Sequence, residues 1–268
     1  MTSIVDIDNI EIDDRCELYN ILRSRANECT PNKLKSFEYI RERPRIIQWM
    51  MHLQYNTFKL THETLYLSIA IVDRYHSICV MDLCKVELVC IVSLFIVSKY
   101  EEGGTRKLHV NELLNCVNNL KFGYTFSKDQ FCTMELEILS VLDYRIMIPT
   151  ALQFLMIYLK LCKAERKIIF LSCYLLEVNL IDYYNSMKFK AFEIAAASLF
   201  EAKMKCGKRP WSATLEVYTK LSNEYIQAIF HRLLGQRRIT RAYQVYDVIK
   251  EKYSHSRYTY IANRYGSS

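Results

Sequence analysis

Glycine and proline are scarce in this 268-residue chain, at six and four residues. Collagen-like, mucin-like and disordered structure are excluded by that composition. The longest charge-free apolar run, Leu88 to Ser98, has eleven residues and is too short to span a bilayer. Cys-x-x-Cys is absent, and so are the glycine-rich phosphate loops, the G-x-S-x-G elbow and the H-E-x-x-H zinc motif. The six histidines are dispersed. Glu101 and Glu102 are neighbours in sequence, so on a helix they point about 100° apart and make a poor acid/base pair. Nothing reads as a catalytic centre, and the chain is better explained as a binding module.

What is present is an ordinary globular composition, 51% hydrophobic and 24% charged, with enough length for one large domain or two smaller ones. The ten cysteines are scattered singly, most of them in apolar runs such as Leu-Val-Cys90-Ile-Val, and read as reduced buried thiols. His76, Cys79 and Cys84 are close in sequence but fall on different helical faces, so no metal site is expected, and no cofactor. The formal charge of +7 is uneven: residues 1–30 balance to −4 and residues 201–268 to +8. A basic half suits nucleic acid or an acidic protein, and charge alone does not choose. Asp6, Asp8, Glu11, Asp13 and Asp14 interrupt any secretory signal, which leads us to expect an intracellular protein.

Apolar residues recur with helical period through the whole chain, predicting an all-α protein. Helices are expected at about Arg15–Asn27, Arg45–Tyr55, Glu63–Ser77, Cys84–Glu102, Val110–Asn118 and Ser127–Leu142. Ile148-Pro149-Thr150 then reads as a domain joint. Further helices are expected at Thr150–Cys162, Glu165–Tyr183, Lys190–Lys205, Trp211–Lys220, Glu224–Leu234 and Ala242–Tyr253. Cys84–Glu102 is apolar almost all round and should be the centre of a bundle. Its counterpart in the second half is Phe192–Phe200, whose small residues Ala195 to Ser198 allow close helix approach. The layout is two successive five-helix units.

Several charges sit where a bundle core disfavours them: Arg43 before Trp49, Asp73 after the run Leu65–Val72, Lys99 on the most buried helix, and Glu135 amid Phe131, Met134, Ile138 and Leu139. Each alone could be solvated at a rim. Together they imply partly buried ions that need partners. With these residues the stretches Phe58-Lys-Leu60, Glu63-Thr-Leu65, Val72-Asp-Arg-Tyr75, Ser98-Lys-Tyr-Glu-Glu102 and Val141-Leu-Asp-Tyr144 resemble the cyclin box. The family's five typical positions stand here as Arg43, Asp73, Leu88, Lys99 and Glu135. In the second half, Pro149-Thr150 with Gln153-Phe-Leu155, Leu180-Ile-Asp182, and Lys250-Glu-Lys-Tyr253 through Ser256-Arg-Tyr258 resemble the mitotic A/B-type cyclins. The resemblance covers residues 15–260 in order.

The resemblance implies two tandem five-helix cyclin folds with an N-terminal and a C-terminal helix. It divides the chain into an acidic helix-bearing segment (1–36), an N-terminal box (37–147), a C-terminal fold (148–253) and a tail (254–268). It implies a non-catalytic regulatory subunit that forms a heterodimer with a cyclin-dependent kinase and activates it, in G2/M control. Arg43 and Asp73 would form an internal ion pair. Lys99 and Glu135 would reach the kinase, with Tyr100, Glu101, Leu139, Tyr144 and Ile146 beside them and Leu18 and Ile21 on the N-terminal helix.

Three departures stand out. The apolar substrate-docking patch of some cyclins reads here Glu42-Arg43-Pro44-Arg45-Ile46, then Trp49, with His52 where an acidic or amide residue is usual. Ile46, Trp49 and Val86 remain a candidate groove for protein substrates, in a divergent form. Gly103 to Tyr124 is a longer connection than in mitotic cyclins. The third is a short N-terminal segment before the box, in which only Arg15-Cys-Glu-Leu18 fits the bare R-x-x-L pattern of a destruction signal, and that stretch is discounted because it lies in a predicted helix. Rival readings are a transcriptional or G1-type cyclin, and a B-type transcription initiation factor. Arg237, Arg238 and Arg241 would suit DNA, but a zinc ribbon is lacking and Lys99 with Glu135 would have no purpose there. We therefore expect no nucleic-acid or membrane partner, and a nuclear and cytoplasmic location.

Overall fold

The computed structural model describes residues 12–29, 37–80, 83–103, 108–119, 125–181, 188–240 and 247–265. Among them every regular element is helical, and the chain forms two compact units. One comprises residues 31–148; the other comprises residues 149–268 together with the N-terminal stretch 1–30. Among the described residues, no helix is long and apolar enough to cross a membrane.

The first unit holds α2 (Phe37–His52), α3 (His62–Ile78), α4 (Val86–Glu101), α5 (Val110–Asn118) and α6 (Lys128–Val141). α4 touches the other four helices. Val86, Leu88 to Val92, Leu94, Ile96 and Val97 are all buried, because a helix apolar on every face is stable only when surrounded. Each fully buried Leu, Ile or Val contributes about 1.5–3 kcal/mol. The helix ends are fixed by side chains. Thr61 caps α3 by accepting from the Thr64 amide (3.3 Å), and Ser127 and Gln130 form a reciprocal capping box on α6. Glu102, buried just past α4, accepts from the Thr61 amide (2.8 Å) and the Thr64 hydroxyl (2.7 Å), which ties the end of α4 to the start of α3.

α2 begins eight residues before the predicted start at Arg45 and carries Pro44 inside it. Proline has no N–H to donate, so periodicity alone ends the helix there. The preceding turn is held from outside the helix: Tyr39 and Arg43 are buried, and both bond Asp73 of α3. α2 then passes into a π-helical turn over Leu53–Thr57. There the buried amide of Gln54 donates to the Leu60 and Thr61 carbonyls.

The second unit holds α1 (Ile12–Cys29), α7 (Ala151–Leu161), α8 (Arg166–Ile181), α9 (Ala191–Lys205), α10 (Ala213–Thr219), α11 (Asn223–Thr240), α12 (Asp247–Tyr253) and α13 (Ile261–Tyr265). α9 is central, touching α1, α7, α8 and α11, with Ala195 to Ala197 fully buried at the close contacts. α1 is anchored through Tyr19, buried against Phe154, Tyr158 and Tyr218, with its hydroxyl 3.2 Å from that of Tyr158. Arg23 donates to the Thr219 carbonyl (2.9 Å) and lies over the Phe192 ring. Residues past Tyr253 are not a bare tail. α13 rests on α8 with Ile261 and Ala262 buried, and Tyr258 meets Phe170 edge-on. The first part of the helix expected over Ala242–Tyr253 lies outside the described residues, as do residues 104–107 and 120–124 of the connection Gly103–Tyr124.

Candidate functional site

Among the described residues, each unit encloses a buried ion pair. In the first, Arg43 Nε and Nη2 donate to the two carboxylate oxygens of Asp73, each at 2.8 Å, and Tyr39 donates to the same carboxylate at 3.0 Å. This fork on fork geometry satisfies a buried charge pair and joins α2 to α3. His76, one turn after Asp73, stacks on Tyr39 with ring centroids 3.9 Å apart. Its two ring nitrogens are buried and have no hydrogen-bond partner among the described residues. Burial lowers its pKa to about 4, against the opposing pull of Asp73, so it is neutral at physiological pH. In the second unit Lys252 donates to Glu177 at 2.6 Å and Tyr253 to the same oxygen at 2.9 Å, all three buried. Sequence reading missed this pair as an ion pair, although Lys250-Glu-Lys-Tyr253 carried part of the resemblance. The available signal was a lysine inside an otherwise amphipathic turn.

Outside the core, Lys99 in the last turn of α4 pairs with Glu135 of α6. The lysine side chain is 47% exposed and the glutamate 19%. A cation there also suits the carbonyl end of the helix. The ammonium lies 4.0 Å from the centre of the Phe95 ring, which meets Phe131 edge-on, so an aromatic step supports it from below. On α6 the residues Phe131, Met134 and Ile138 face the core, which leaves Glu135 and Leu139 at the rim of the buried face and Leu136 exposed. Tyr100 and Tyr144 are exposed, and Glu101 is half-buried. Desolvation and the neighbouring Glu102 carboxylate raise the Glu101 pKa.

Tyr144 follows α6 in a turn where Asp143 and Tyr144 both have positive φ, 52° and 55°. Non-glycine residues resist that conformation. The turn is held by the Tyr144 amide on the Leu139 carbonyl (2.9 Å) and by Arg74, which donates to the Arg145 carbonyl. The Tyr75 hydroxyl also bonds Glu137, so α3 braces α6 from beneath this turn.

Ile146, expected beside the kinase surface, is buried in the first unit. The members of the candidate groove are largely covered. Ile46 and Val86 are each 1% exposed, leaving Trp49, half-buried, as its accessible member. Arg45 pairs with Glu42 (3.0 Å) and with Glu87 of α4 (3.4 Å), so ions occupy the α2–α4 edge where an apolar patch was considered. On α1, Ile21 is exposed and Leu18 half-buried, while Tyr19 takes the core position.

The description "Cyclin, N-terminal domain" matches residues 17–147, and "Cyclin, C-terminal domain" matches residues 149–264. The chain belongs to the cyclin family. Its relatives include "G2/mitotic-specific cyclin-1" of Medicago sativa subsp. varia, 28% identical over 249 residues, 89% of this chain and 56% of that protein. "G2/mitotic-specific cyclin-B3" of Drosophila melanogaster is 31% identical over 224 residues, 81% of this chain and 37% of that protein. This cyclin thus spans about half the length of the curated relatives it matches. Among solved structures, a viral cyclin from herpesvirus saimiri shares the fold with a TM-score of 0.67 at 18% identity, covering 82% of this chain and 96% of that one. Among the described residues, no group of three or more His, Cys, Asp or Glu is placed to hold a metal ion.

Proposed function

We propose that this cyclin is the activating subunit of a cyclin-dependent kinase, acting at G2/M in the nucleus and cytoplasm. Membership of the family and the mitotic relatives support the reading, and the Lys99–Glu135 pair carries it. An exposed lysine and a rim carboxylate, set on an aromatic step and flanked by Tyr100, Leu136 and Tyr144, form a surface with two fixed charges among uncommitted aromatic and aliphatic groups. Such a surface suits a helix end, with Lys99 meeting carbonyls and Glu135 meeting amides. Binding energy spent there would favour the kinase state in which the C-helix is swung inward and the activation loop reordered, with no chemical group supplied by the cyclin.

The test is activation of a monomeric cyclin-dependent kinase by wild type and by the Lys99→Ala/Glu135→Ala double variant. A half-exposed ion pair contributes little to folding, about 0–1 kcal/mol, so the double variant should keep its fold and melting temperature. At a desolvated interface the same groups are expected to be worth about 2–4 kcal/mol. The variant should therefore need far more kinase for half-maximal activity. Equal activation by both proteins would remove the proposed contact, and no activation by either, across several kinases, would leave a cyclin-fold scaffold.

A further inference from the structure

The C-terminal ends of α7 and α9 and the first turn of α8 converge at one end of the second unit. Lys208, past α9, pairs with Glu165 just before α8 at 2.8 Å. Cys162, capping α7, lies within the electrostatic reach of Lys203 on α9. Lys167 sits 5.3 Å from the Tyr265 ring and is close enough to Arg264 to feel its charge. Six exposed cations, Lys163, Arg166, Lys167, Lys208, Arg209 and Arg264, thus stand on these helix ends and the adjoining α13, and among them Lys208 pairs with the exposed carboxylate of Glu165. Half-buried Lys160 and Lys205 lie on the same helix ends, the latter paired with the buried Glu201 at 3.9 Å.

Helix energetics explain part of this cluster and fail for the rest. Cations after the last turns of α7 and α9 stabilise the carbonyl ends of those helices. Arg166 and Lys167 do the opposite. They occupy the first turn of α8, which contains no acidic residue, where the amide end of the helix disfavours positive charge. Arg166 and Lys167 are held there in part by the rings of Phe170 and Tyr265 that they cover, and beside four more exposed cations they leave a net positive surface.

We propose that this end of the second unit is a docking surface for an acidic polypeptide segment, rich in Asp and Glu, of a partner protein. Charge complementarity selects an anionic occupant. Stacking geometry argues against a single nucleic-acid strand, because single strands are gripped through open aromatic faces. Here Arg166 lies over Phe170 and Lys167 over Tyr265, while Tyr258 is buried, so the chain's own cations already cover these rings. The inference stands independently of kinase activation.

The experiment is fluorescence anisotropy of a labelled peptide of alternating Asp and Glu against the full chain, over a range of salt. The key variant is Arg166→Glu/Lys167→Glu. It places acids in the first turn of α8 while removing the cations from the Phe170 and Tyr265 rings, so its melting temperature should stay close to that of wild type, while its affinity for the peptide should fall at least about tenfold. A Lys85→Glu control, on the first unit, should bind like wild type. Binding that weakens steeply with salt and is lost in the double variant supports the proposal. Equal binding by the double variant, or a DNA oligonucleotide binding more tightly than the peptide, overturns it.

Discussion

At the scale of single residues, the informative groups are those whose chemistry conflicts with their surroundings. His76 is one. It is held between the Tyr39 ring, the edge of Tyr75 and the Asp73 carboxylate, with neither nitrogen bonded. Its pKa is lowered from 6.5 to about 4, first by burial. In the unfolded chain the imidazole takes up a proton as pH falls through 6.5, and in the folded chain it resists until about 4. Stability is therefore complete above the higher value and drains away as pH falls toward the lower one, by about 3 kcal/mol in all. We expect His76→Phe, which keeps the ring stack, to flatten this loss. Urea midpoints at neutral pH and near pH 5 measure it, and equal pH-dependence in both proteins would exonerate His76. Sequence reading saw His76 as a poor zinc ligand and no more, because only the fold reveals that Tyr39 covers it.

At the scale of elements, legibility followed the strength of the apolar pattern. α4 and α5 lie where period and composition put them, and α3 lies within one residue of its expected span. Those segments bury a continuous apolar stripe or an all-apolar surface, so tertiary packing and local pattern agree. α2 was misread at its start because the forces that carry it through Pro44 come from Asp73, thirty residues away in sequence. α13 was missed because Tyr-Ile261-Ala-Asn-Arg offers one short apolar turn among polar residues. Yet Ile261 is fully buried and the turn rests on α8. If that contact is structural, Ile261→Ala should destabilise the protein by about 2–3 kcal/mol, read as a lower urea midpoint. An unchanged midpoint would show that the turn is loosely attached and that the second unit ends at Tyr253.

At the scale of the whole molecule, the resemblance implied two different ends for four charged residues, and the structure places the two pairs differently. Arg43 and Asp73 are sealed inside the first unit, whereas Lys99 and Glu135 lie at its surface. Sequence spacing could not distinguish these cases, since each is a charge beside an apolar run. The consequences differ for any activity. Arg43→Ala strands a buried carboxylate, which costs about 3–5 kcal/mol, a large share of a domain's total stability of about 5–15 kcal/mol. Its loss of kinase activation should track unfolding. Activation should fall sharply near the variant's lowered melting temperature, recover on cooling, and recover again with excess kinase, because a partner that binds only the folded form pulls the equilibrium back. Lys99→Ala/Glu135→Ala should melt like wild type and demand more kinase at every temperature. Kinase titrations well below and close to the melting temperature, run beside thermal unfolding, separate the two. If Arg43→Ala stayed equally defective in the cold while fully folded, the buried pair would be shaping the docking surface as well as bracing the fold.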